Sequence, residues 1–145
     1  VFFADSFLTP FTAFLTTLGV VIAAWGGVML ADIALRRNDY DEPSLFTPSG
    51  RYGSVNWGAV ASLIVGSLVG WGLVVNASAS WLSWQGYLLG PLGGREGDWA
   101  GANIGILLAM VVGFVGYWVT SAGRVRAQEK LPSRTYAEGA GEDEQ

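Results

Sequence analysis

No cysteine and no histidine occur among the 145 residues. Without cysteine the chain has no disulfide, no thiolate nucleophile and no zinc–thiolate site. Without histidine it lacks the commonest proton shuttle and metal ligand. Charge is scarce as well. Asp, Glu, Lys and Arg make up 14% of the chain, against about 25% in an ordinary soluble domain. No Asp, Glu, Lys or Arg falls within residues 7–31, 57–94 or 99–123. No nucleophile is paired with a base, and no two carboxylates are set for acid–base work, so nothing supports an enzyme. The net charge of −4 argues against nucleic acid as a partner. No cofactor is called for.

What fills the chain is apolar. Hydrophobic residues are 51% of it, and glycine contributes 21 residues. A run of about 20 apolar residues spans the hydrocarbon core of a bilayer. Helices are the default spanning structure for a chain of this length. The expectation is an all-α integral membrane protein with helices at about 7–35, 57–76 and 101–121. Pro10 is expected in the first turn of the first helix, where a missing N–H does little harm. Gly19, Gly26 and Gly27 are its candidate flex points. Residues 1–122 form the membrane part. Residues 123–145, which end in EGAGEDEQ, read as a disordered, solvated tail.

Lys and Arg set the expected orientation. Arg36, Arg37 and Arg51 lie in the first loop, and Arg124, Arg126, Lys130 and Arg134 lie in the tail. Only Arg95 lies in the second loop. That asymmetry predicts a multi-pass protein of the cell (inner) membrane, with the first loop and tail cytoplasmic. Val1 then falls outside, with no basic leader before it. The chain is therefore expected to begin inside a longer one; a GTG start read as Val is the alternative. In the second loop, Trp81, Trp84 and Tyr87 recur every three residues. They predict a short interfacial helix over about 79–92. A re-entrant element lining a pathway is the other reading.

Several groups invite a functional reading. Asp32 sits near the end of an apolar segment, where an ionisable residue marks a site by default. Its spacing of four from Arg36 also fits a local ion pair that anchors the helix end. Arg36 and Arg37 could bind anionic lipid or serve as a simple inside anchor. Thr9, Thr12 and Thr16 share one helix face. They could line an aqueous pathway, or hydrogen-bond to carbonyls one turn back. Gly50, Arg51, Tyr52 and Gly53 belong to a tight-turn sequence, TPSGRYG, that lacks the lysine of a phosphate loop. Ser62, Gly66 and Gly70 repeat every four residues, and Gly101, Gly105, Gly113 and Gly116 continue the theme. Such residues let helix backbones approach closely.

A long helix with Gly-Gly near its middle is followed by MLADIALRR, a Tyr-Asp pair, SLF…GRYGSVNW and a glycine-rich helix. The later GWGLV, WLSWQGYLLGPLGG and WAGANIGILLAMVVGFVGY continue a pattern that resembles the purine–cytosine permease group of the nucleobase–cation symporter-1 family. The resemblance covers about residues 1–122. It implies a twelve-helix inverted-repeat fold of the leucine-transporter type, of which this chain supplies helices ten to twelve. It implies a secondary transporter for cytosine, purines, allantoin or related compounds, driven by a proton or sodium ion and working by alternating access around a midplane site. The helices that carry the family's substrate and ion contacts would lie elsewhere, so no substrate-binding residue carries over. The implied partners are the bilayer, the remaining helices and a nucleobase-type molecule. In such folds the tenth helix forms a thin outer gate, which points to Phe7, Leu8 and Phe11 beside Pro10, with Thr12 and Thr16 as pathway-lining candidates. Asp32, Arg36, Arg37, Gly50, Arg51, Tyr52 and Gly53 would form a cytoplasmic motif. A stand-alone three-helix accessory or assembly protein is the competing reading.

Overall fold

The computed structural model describes residues 2–36, 55–76, 80–91, 93 and 104–130. Among the described residues there are three α-helices, α1 (Phe2–Leu35), α2 (Trp57–Gly72) and α3 (Ile104–Glu129), with a 3-10 turn at Ser80–Leu82 between α2 and α3. Phe7–Leu35 and Ile104–Glu129 are long and apolar enough to cross a membrane; Trp57–Gly72 is apolar but shorter.

The contacts fix the topology. Asp32 of α1 meets Tyr117 of α3, and Gly19 lies beside Ile106, so α1 and α3 run parallel. Gly58 of α2 faces Ser121, whereas Gly70 faces Gly105 and Val20. Hence α2 runs antiparallel to both.

Small side chains decide how close the helices come. A Cβ added at Gly113 would collide with the carbonyl of Ala24, one at Gly105 with the carbonyl of Gly70, and one at Gly27 with the carbonyl of Met110. Backbone therefore lies against backbone, which lets dispersion hold helices together where water supplies no drive. Gly27 is thus a packing residue, not a flex point, while Gly26 faces open space. Gly101 lies outside the described residues. Around these contacts sit two groups of buried side chains, Val20, Ala24, Val74 and Ala109, and Val28, Ala31, Leu35, Tyr117 and Val125.

Three boundaries differ from the sequence reading. Because α1 begins at Phe2, Pro10 lies inside the helix and not in its first turn. It therefore removes a real helical hydrogen bond, that to the carbonyl of Ser6. α2 stops at Gly72 and not near Asn76. α3 runs on to Glu129, so residues 123–129 are helical and not tail. Charge alone does not end a helix: Arg, Ala, Gln and Glu all favour it, and Val125 and Gln128 are buried on the packed side. The rest of the tail, residues 131–145, lies outside the described residues.

The early end of α2 has a local cause. The last four carbonyls of a helix need donors from elsewhere. Leu73 N–H turns back to Gly70 O at 3.1 Å, while Gly86 N–H reaches Trp71 O and Leu88 N–H reaches Gly72 O, both at 2.9 Å. The Tyr87 hydroxyl donates to the Leu68 carbonyl. Gly86 takes φ of 74° to make this return, a conformation open to glycine at little cost. The segment read as an interfacial helix is therefore a 3-10 turn followed by tight turns folded onto the end of α2. Trp81, Trp84 and Tyr87 stay exposed, while Leu82 and Gln85 are buried.

Candidate functional site

Two polar clusters tie the described elements together, one near the C-terminal end of α1 and one around residues 13–17. At the Asp32 end, the Arg36 guanidinium grips the carboxylate side-on, Nε to Oδ2 at 2.8 Å and Nη2 to Oδ1 at 3.1 Å. Two parallel charge-assisted bonds make this the strong form of such a pair. Both side chains are largely covered, Arg36 being 12% and Asp32 16% exposed. The pair is not merely local. The Tyr117 hydroxyl on α3 donates to Asp32 Oδ1 and accepts from Asn56 Nδ2 at 3.2 Å. Asn56 is the N-cap of α2, its Oδ1 accepting from the Ala59 N–H at 3.3 Å. One chain of bonds thus runs from an arginine just past the end of α1, through a carboxylate on α1 and a phenol on α3, to the cap of α2.

The second cluster lies toward Pro10. Thr17 Oγ1 donates to the Ala13 carbonyl at 2.9 Å and accepts from Gln85 Nε2 at 3.0 Å. The Trp71 indole N–H donates to the Thr17 carbonyl at 3.0 Å, and Asn76 Nδ2 donates to the Ala13 carbonyl at 3.0 Å. Ala13 itself packs on Leu82, and Trp84 meets Trp71 edge-on at 5.7 Å. Four groups from α2 and the following turns therefore converge on a single turn of α1.

The candidate gate residues lie one to two turns beyond that grip. Phe7, Leu8 and Phe11 are exposed, and the two phenyl rings stack at 5.4 Å. Thr16 Oγ1 donates to the Thr12 carbonyl at 3.0 Å, the back-bonding arrangement weighed for it, and Thr12 is exposed. Arg37, Gly50, Arg51, Tyr52 and Gly53 lie outside the described residues, so of the tight-turn motif only its continuation at Asn56 and Trp57 is placed.

Sequence reasoning did not single out Tyr117, Thr17, Trp71 or Gln85. Tyr117 carried a faint signal. It lies four residues after Gly113, on the face where small residues announce contact, so its hydroxyl had to find a partner in protein. Gln85 carried none, because its burial depends on how residues 80–91 fold back.

Residues 3–90 match the family described as permeases for cytosine/purines, uracil, thiamine and allantoin. No curated protein and no solved structure matches the chain. The match takes in all but the first residue of α1, the sequence between α1 and α2, α2 itself and most of the turns that cap it. On that span, and on an all-helical architecture of apolar helices, the chain belongs to this permease family and is a membrane transport protein, not an enzyme.

Proposed function

We propose that the chain forms the last three helices of a cation-coupled symporter for a nucleobase-type compound working by alternating access, with α1 as a gating helix. In this reading the Asp32 end of α1 is cytoplasmic, in the inner membrane, and proton or sodium coupling occurs at helices outside this chain. The observation that carries the gate is Pro10 inside α1, one turn before a length of helix that polar bonds hold. Polar bonds hold it at residues 13–17 and again at Asp32 and Arg36. The turns before residue 13 contain Pro10 and present Phe7, Leu8 and Phe11 outward. Sharp helix kinks are found at prolines, so Pro10 is where α1 would bend. Thr12 follows Leu8 by one turn and lines the approach, with Thr16 a turn below.

The test is uptake of labelled cytosine, uracil, a purine and allantoin by cells producing the whole permease. Collapsing the proton or the sodium gradient should abolish uptake of one of them. Phe7→Ala, Leu8→Ala and Phe11→Ala should change exchange rates more than Trp57→Ala, a change at a residue 74% exposed on α2. Equal effects at all four positions would sink the gate, and uptake of none of the compounds would sink the substrate class.

A further inference from the structure

One flank of α3, at the edge of its packing against α1, carries an ordered stripe of side chains. An open groove of about 320 Å³ is lined by Phe114, Val115 and Trp118. The rings of Phe114 and Trp118 stack at 5.6 Å. Among the described residues, no charged side chain lines it. Val115, Val119, Ala122, Arg126 and Lys130 continue the same stripe at helical spacings of three and four. Val119 is 75% exposed, and both cations are exposed.

We propose that this stripe binds an anionic phospholipid of the leaflet at the C-terminal end of α3. An acyl chain lies in the groove, and Arg126 and Lys130 hold the phosphate. Lengths agree with this. α3 has 26 residues, about 39 Å at 1.5 Å per residue, so it overruns a hydrocarbon core of about 30 Å. With Ala122 at the boundary, Arg126 falls about 6 Å and Lys130 about 12 Å into the headgroup side. Helical side chains lean toward the N-terminus of their helix, here back toward the bilayer. Long cationic side chains extend that reach while their stems stay in apolar surroundings. Trp118 and Arg126 are about 12 Å apart along the axis, within the length of one leaflet's acyl chain.

The surroundings favour a lipid over a packed helix. A helix lying on this stripe would cover an all-carbon groove and two cations at once, and would have to supply acids at the second. A phospholipid carries both chemistries in that order. Arg36 is not an alternative headgroup ligand, because Asp32 holds its guanidinium. Glu129 lies beside the pair, yet Arg124, Arg126 and Lys130 leave this end of α3 positive.

The test is native mass spectrometry of the purified chain, titrated with phosphatidylglycerol and, separately, phosphatidylcholine. Wild type should retain one phosphatidylglycerol in preference. Arg126→Gln combined with Lys130→Gln should weaken that retention about thirtyfold, from the usual worth of two basic residues at an anionic surface. Phosphatidylcholine retention should not change. Arg126→Lys should stay near wild type, and Trp118→Ala should weaken both lipids. Circular dichroism confirms that each variant folds. Equal retention of the two lipids, or no effect of the double substitution, overturns the site. So does phosphatidylglycerol binding that emerges only when residues 131–145 are deleted, because the acidic tail would then be the occupant.

Discussion

Tyr117 offers the sharpest perturbation. Its hydroxyl joins Asp32 to Asn56, and Tyr117→Phe removes that atom while leaving the buried ring in place. A hydrogen bond to a charged partner contributes about 1.5–3 kcal/mol in water-soluble proteins. Cycles between side chains inside membranes average only about 0.6 kcal/mol and reach about 1.7. The acceptor here is a carboxylate, largely covered and already fixed by Arg36, so the upper part of the membrane range applies. Coupling between Tyr117 and Asp32 should be about 1.5 kcal/mol. Asp32→Ala alone should cost more, about 2 kcal/mol, because it leaves Arg36 without its carboxylate; partial exposure keeps that below the cost of a fully buried orphan. The assay is reversible unfolding of the chain in bicelles for wild type, Y117F, D32A and the double variant. The cycle subtracts the unpaired arginine, which is common to both D32A backgrounds. A coupling below about 0.3 kcal/mol, within the usual additivity error, would refute the view that this contact ties α1 to α3.

The other predictions concern packing and capping. Gly113→Ala drives a methyl group into the Ala24 carbonyl and should destabilise by about 2 kcal/mol. Gly26→Ala meets nothing and should be neutral or stabilising by up to about 1 kcal/mol; the same unfolding assay separates them. Gln85→Ala removes the bond to Thr17 and should cost about 1 kcal/mol. It should also speed hydrogen exchange at the Gly86 and Leu88 amides, and unchanged exchange would mean the turns hold without it. Trp71→Phe keeps an aromatic ring but not the indole N–H to the Thr17 carbonyl. It should cost about 1 kcal/mol, and less than that when Gln85 is already Ala, since both act on one turn of α1.

Membrane class, helix number and the pair at Asp32 and Arg36 were legible because each depends on local pattern. Charge-free length marks a span, and acid-first spacing of four marks a pair. The faces of closest approach were legible too, since Gly66, Gly70, Gly105 and Gly113 repeat at helical spacing. What escaped the sequence depends on the fold. Trp81, Trp84 and Tyr87 follow a helical period, but here the unmet carbonyls of α2 compete for the same backbone donors and win. Asn76 reads as the end of a span, yet it leaves the helix to reach Ala13. Pro10 was misplaced for a simpler reason: the stretch before it is short, and nothing in residues 1–6 signals a helix start. Basic residues at 124 and 126 suggested a boundary that buried Val125 and Gln128 override.

The capping of α2 has a consequence for biogenesis. A nascent chain emerges N-terminus first, so α2 leaves the ribosome before Gly86 and Leu88 do. Until those residues arrive, the carbonyls of Trp71 and Gly72 must be met by water or by a longer helix running on through residues 73–76. The stretch 57–76 read from sequence alone is then the form available at insertion. The 16-residue helix is the form left after the following turns fold back, so α2 is shortened by residues that the translocation machinery has not yet seen when it admits the span.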